Sequence, residues 1–284
     1  MEEKRNEVKR EKKKFTIFGY SIWRLIAYFT IYSFLGFVIE TLFGLLTKGV
    51  LESRQSFLYG PFCGIYGLGA IVMIIALKRF NKNNYTLFFG GFLVGSIVEY
   101  LVSLIGELVF HVKWWDYSNE PFNLNGRICV YFSLFWGILA IYLMTHVHPR
   151  VDRFIDKVKE KINIKFLKGV TILTLIFFIL DASVTGFALR MFYTRLTKTY
   201  DLDIQGVDEY LVDYETMYQN PTIKNIVDTF FNDEKMLKTF PNLKLTATNG
   251  DIIFVKDILK DIQPYYVRVF TPRERNANSQ ENVE

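Results

Sequence analysis

Residues 86–110 read TLFFGGFLVGSIVEYLVSLIGELVF. A bilayer core takes about 20 apolar residues in a helix, so this run can cross one, yet it carries two carboxylates, Glu99 and Glu107. An ionised carboxylate is costly in hydrocarbon and normally faces a bundle interior, a partner or a water-filled cavity. Small residues interleave with the acids: Gly90, Gly91, Gly95, Ser96, Ser103 and Gly106. They permit close approach of a second helix. At 3.6 residues per turn Glu99 and Glu107 share one broad face. The stretch predicts a central membrane helix with its acids turned inward.

Four more runs have spanning length: 22–46, 57–77, 128–145 and 167–187, with Glu40 and Asp181 inside the first and last. The connections are short and hold the charges. With the N-terminus inside, one face collects the arm from Lys4 to Lys14, the turn Lys78, Arg79 and Lys82, and the loop from Arg150 to Lys168. The other face has only Lys48, Arg54, Lys113 and Arg127. That asymmetry fixes orientation under the positive-inside rule. The expected fold is an all-α polytopic membrane helix bundle of about five spans, N-in and C-out, with a small α+β C-terminal appendage. The expected divisions are a basic cytoplasmic arm (1–19), a transmembrane domain (20–190), an extracytoplasmic α+β tail (191–272) and a disordered end (273–284).

A mean hydropathy of only +0.15, with 22% charged residues, reflects polar ends mixed with an apolar middle. The basic arm reads as a segment retained in the cytoplasm, not as a nucleic-acid site. The first apolar run is too long for a cleaved signal peptide, and no small-residue cleavage site follows it. Cys63 and Cys129 exclude a disulfide framework and any cysteine-rich metal site; they read as buried thiols, with a single bridge as the alternative.

The tail has folding signals of its own. Asn220 before Pro221 is a helix start, and Ile223, Ile226, Val227, Phe230 and Phe231 follow at helical spacing. Leu243 and Leu245 alternate toward Asn249 and Gly250, a hairpin turn signal, with Ile252 and Phe254 beyond.

Orientation turns the acids into a map. Glu40, Glu99, Glu107 and Asp181 fall at mid-depth or in the outer half, and Arg54, Asp116, Asn123 and Arg127 in the outer loops or their edges. Together they are the candidate site. One reading is a polar chamber for a cation, a proton or a polar head group. The other is a set of ion pairs and hydrogen bonds that lock the bundle. Arg24, at the inner end of the first run, reads as a snorkelling anchor. Trp114, Trp115 and Tyr117 suit an interfacial belt, while the Asp, Asn, Pro and Gly around them predict an ordered loop. Gly60 and Pro61 predict a helix start or a re-entrant turn.

His111, His146 and His148 have no acidic set at metal spacing beside them, so no metal or other cofactor is expected. The chain has no Walker motif, no H-E-x-x-H helix and no Ser/His/Asp arrangement. No solenoid repeat and no inverted halves are evident. Enzymatic chemistry, if present, would rest on carboxylates and arginine.

These segments resemble the bacterial membrane family named putative ABC-transporter type IV, or CmpB-like. The residues that carry the resemblance are Glu40; Arg54 with Phe57, Leu58, Tyr59, Gly60 and Pro61; Ile65, Tyr66, Gly67, Leu68 and Gly69; and Glu99, Tyr100 and Glu107. The most specific are Trp115, Asp116, Tyr117 and Ser118, Pro121, Phe122 and Asn123, Gly126, Arg127, Ile128 and Cys129, and Ser133, Trp136 and Gly137. The resemblance covers roughly 20–190. It implies a permease component in the bacterial cytoplasmic membrane, whose ATPase would be a separate chain, with residues 146–166 available for coupling. The alternative is a membrane enzyme acting on a lipid-linked or envelope substrate, with Glu99 or Glu40 as base and Arg54 or Arg127 holding an anionic head group.

Overall fold

The computed structural model describes residues 16–79, 83–110, 112–262 and 266–269. The expectations for most of the basic arm and for the end beyond 273 lie outside the described residues. A short hairpin of β1 (Thr16–Ile17) and β2 (Tyr20–Ser21) leads into helix α1 (Ile22–Lys48), which Gly49 ends in the left-handed conformation. Strand β3 (Val50–Glu52) follows, then helix α2 (Gly64–Leu77) and helix α3 (Asn84–Phe110). The next connection holds β4 (Val112–Lys113), β5 (Asn123–Leu124) and β6 (Ile128–Cys129). Helix α4 (Val130–Tyr142) passes through a π-helical turn, Leu143–Val147, into α5 (His148–Lys161). Pro149 lacks the N–H an α-helix would use to reach back one turn, and the widened turn lies just before it.

Helix α6 (Ile164–Tyr200) begins at Asn163, whose side chain accepts from the Lys165 backbone N–H. Among the described residues, four helices are long and apolar enough to cross a membrane: Ile22–Lys48, Asn84–Leu108, Val130–Lys161 and Ile164–Tyr200. The remaining apolar run, expected over 57–77, becomes helical only at Gly64. Its 14 residues rise about 21 Å, short of a bilayer core of about 30 Å. Gly60 has φ +82° and Pro61 follows it, so residues 53–63 fold back as irregular chain. Irregular backbone at membrane depth persists where protein groups satisfy it. Here Cys63 N–H donates to the Ser33 carbonyl (2.8 Å), Gly64 N–H to Ser56 Oγ (2.8 Å) and Leu58 N–H to Thr185 Oγ1 (2.9 Å).

Helix α3 shows how the bundle sorts its faces. Phe89, Leu93, Ile97, Leu101, Ile105 and Leu108 are exposed along one stripe, the side hydrocarbon would cover. The opposite stripe packs on α4, with Gly91 against Ala140 and Gly95 against Trp136. Tyr28, Tyr32, Met73, Ile74, Leu77, Leu87 and Ala140 fill the core between α1, α2, α3 and α4.

The 37 residues of α6 rise about 55 Å, so the helix continues beyond any bilayer core. Its last turns form the centre of a second core, where Phe192 and Leu196 meet Val227, Met236, Leu237, Leu245 and Val255. The expected division at residue 190 therefore falls inside one continuous helix. The tail adds α7 (Asp208–Gln219), α8 (Pro221–Phe230), α9 (Asp233–Thr239), strands β7 (Lys244–Thr246) and β8 (Ile252–Phe254), α10 (Val255–Ile258) and β9 (Tyr266–Arg268). Asn220 caps α8 by accepting from Thr222 N–H and Ile223 N–H, and β7 and β8 form the expected hairpin. The tail is tied to the bundle through backbone: β7 pairs with β4, and β9 with β3. The connections after α1 and α3 and the far end of α6 thus meet the tail at one end of the bundle.

Candidate functional site

Two short sequences build the centre of the site in the same way. GFVIE occupies 36–40 on α1, and GSIVE occupies 95–99 on α3. A Cβ at Gly36 would lie 2.2 Å from Tyr66 Cβ, and one at Gly95 would lie 2.5 Å from Trp136 Cβ. Each bare glycine seats a large aromatic residue of the following helix directly against the backbone. One turn further along, that aromatic reaches the carboxylate. Tyr66 Oη donates to Glu40 Oε1 at 2.7 Å, and Trp136 Nε1 donates to Glu99 Oε2 at 2.8 Å.

The two units meet through those aromatics, whose ring centroids are 5.6 Å apart. Tyr117, from the connection after α3, donates to the second oxygen of Glu99 at 3.0 Å and stacks on Phe132. Burial, then the neighbouring Glu99 carboxylate and, less strongly, Glu40, raise the Tyr117 phenol well above its usual range, so it stays a donor. Ser96 and Ser133 join by a hydrogen bond of 2.7 Å one turn away. Glu99 is 4% exposed. Among the described residues, no Lys or Arg lies within ion-pair distance of Glu40 or Glu99. The cluster is two acids held by neutral donors.

The other predicted residues lie around this centre. Glu107 pairs with Arg127 at 2.5 Å, and that guanidinium also lies over the Tyr100 ring. Arg54 pairs with Glu52 at 2.5 Å, and its guanidinium packs on Gly44, one turn beyond Glu40. Glu52 also receives Asn242 of the tail at 3.1 Å. Asp181, 3% exposed, accepts from Tyr59 N–H at 3.2 Å and so fixes the irregular segment 53–63.

Asp116 and Asn123 organise the loop between α3 and α4. Asp116 accepts from Ser118 Oγ, while the Asn123 amide donates to the Ser118 and Glu120 carbonyls. Gly126, at φ +65°, is required there: a Cβ would meet Ser118 Oγ at 2.4 Å and Asp116 Oδ1 at 2.6 Å. Cys63 and Cys129 are both free, each the residue just before its helix, α2 and α4.

Sequence reasoning did not select Tyr66, Tyr117 or Trp136 as site residues. The paired G-x-x-x-E spacing is the signal that points to them, because glycine and acid one turn apart mark a close helix contact with a polar group beside it. It also missed a second cluster. Arg24 is not a free anchor: it pairs with Asp152 at 2.7 Å and Asp156 at 3.1 Å, both on α5. Tyr28 donates to Asp152 as well, and Tyr32 Oη bonds His148 Nδ1 at 3.0 Å. No group of three or more metal-ligating side chains occurs among the described residues.

A family model described as putative ABC-transporter type IV matches residues 27–186, more than half of the chain. The matched stretch contains both G-x-x-x-E units, the irregular segment 53–63 and the ordered loop before α4. No curated protein and no solved structure matches the chain.

Proposed function

The chain belongs to the family described as putative ABC-transporter type IV, and from that premise we propose that it is the membrane component of a transporter whose working group is the Glu40–Glu99 pair. The observation that carries this reading is the chemistry of the pair. Glu99 is buried in the bundle and Glu40 half-buried beside it, each hydrogen-bonded to a neutral aromatic donor, with no cation to fix their charge. Tyr66, Trp136 and Tyr117 fill their immediate surroundings, so the species that exchanges there is a proton. Each unit consists of a helix and the helix after it, and the aromatic contact between units is where one reports its charge state to the other.

ATP hydrolysis, in this reading, comes from a separate chain in the bacterial cytoplasmic membrane system. The face of α5 suits its docking, with Arg150, Arg153, Lys157, Lys159 and Lys161 exposed. Glu107 with Arg127, and Arg54 with Glu52, frame the outer end of the pair, and Asp181, Asp116 and Asn123 hold the segments that cover it. The membrane-enzyme alternative places an arginine on an anionic substrate beside Glu40 or Glu99. Both candidate arginines are instead engaged by other carboxylates.

Infrared spectroscopy of the purified full chain in lipid tests the proposal. A carboxylic C=O band that titrates with pH is expected in the wild type and is expected to lose intensity in both Glu99→Gln and Glu40→Gln. If either variant leaves the titrating carboxyl signal unchanged, the two acids do not exchange protons as a pair and the reading fails.

A further inference from the structure

A cavity away from the carboxylate pair opens where α6 leaves the span region and α7 folds against it. Its volume is about 490 Å³, within the range of small-molecule sites. The α6 wall runs from Ala182 to Thr194, a rise of about 18 Å along one helix face. Its lower part is small and apolar, with Ala182 and Ser183 exposed on the side that hydrocarbon would cover. Its upper part is polar. Arg190 lies over the Tyr210 ring at 3.7 Å and pairs with Asp213 at 3.1 Å, with 40% and 57% of those two side chains exposed. Tyr193 belongs to the same wall, is 3% exposed, and its hydroxyl has no hydrogen-bond partner among the described residues.

We propose that this groove holds one phospholipid with a zwitterionic ammonium–phosphate head group. The charges argue for that class. Arg190 offers a guanidinium to a phosphate, and Asp213 offers a carboxylate to an ammonium. A purely anionic head group would meet Asp213 as a like charge. The apolar floor of Ala182, Gly186 and Met191 accepts the start of an acyl chain. The exposed ion pair contributes little on its own, so exchanging it for the two ends of a zwitterion costs little. The site is independent of the proton-exchange reading and rests only on α6 crossing a membrane.

Native mass spectrometry of the full chain tests this, after delipidation and incubation with equal phosphatidylethanolamine and phosphatidylglycerol. One retained phosphatidylethanolamine is expected, favoured at least fivefold. Asp213→Asn is expected to lower that preference toward parity, and Gly186→Leu to abolish retention by filling the groove. Should Gly186→Leu not fold, Ser183→Leu at the membrane end gives the same readout. Equal retention of both lipids by the wild type, or retention unaffected by the filling variants, overturns the proposal.

Discussion

Helix α1 carries two polar clusters at opposite ends, and they are built on opposite principles. At its start, Arg24, Tyr28 and Tyr32 face His148, Asp152 and Asp156 of α5, and every charge has a partner. Toward its other end, Glu40 faces Tyr66, and across the ring contact Glu99 faces Trp136 and Tyr117, with donors but no cation. The first arrangement ties two elements 128 residues apart in sequence and leaves the charges no freedom. The second orients its acids through neutral donors alone.

The comparison breaks most severely where backbone contact is lost. Gly95→Leu drives a side chain into Trp136 and is expected to cost about 3 kcal/mol or more, abolishing a monodisperse peak in fluorescence-detected size-exclusion chromatography. Normal folding of that variant would mean that Trp136 is not seated by the glycine. Arg24→Ala comes next. It strips Asp152 and Asp156 of their cation in a half-exposed site, so a loss of about 1–3 kcal/mol is expected, between the surface and buried limits. A thermal scan of this variant, of Asp152→Ala and of the double variant measures the coupling. Additive losses would remove the ion-pair account of the inner cluster. The smallest expected stability effect belongs to Glu99→Gln, below about 1 kcal/mol, because the amide oxygen still accepts from Trp136 and the Tyr117 hydroxyl can turn to accept from the new NH2 group. A thermal loss matching that of Arg24→Ala would make the two clusters structurally equivalent and erase the contrast.

Much of this was legible in the residues. Run length predicts the membrane helices, and Asn220 with Pro221 predicts the start of α8. Asn249 and Gly250 predict the β7–β8 hairpin, and Glu99 is legible as a buried acid because it interrupts an apolar run. The irregular segment 53–63 was only half legible: Gly60 and Pro61 announce a break, but its anchorage on Asp181 and Thr185, more than 120 positions away, has no local signal. The inner cluster was hidden for a similar reason. Asp152 and Asp156 sit in a strongly basic segment, and nothing in that segment says that Arg24 faces them.

What the sequence alone determined about this protein is which stretches enter a membrane and which acids must be sheltered there, because both follow from the cost of moving a residue out of water. Only the tertiary structure decided what shelters them. Arg127 goes to Glu107 and Arg54 to Glu52, whereas Glu40 and Glu99 receive the aromatic donors Tyr66, Trp136 and Tyr117. That choice depends on how closely two helices approach, and it is set by the absence of a Cβ at Gly36 and Gly95 facing a partner far along the chain.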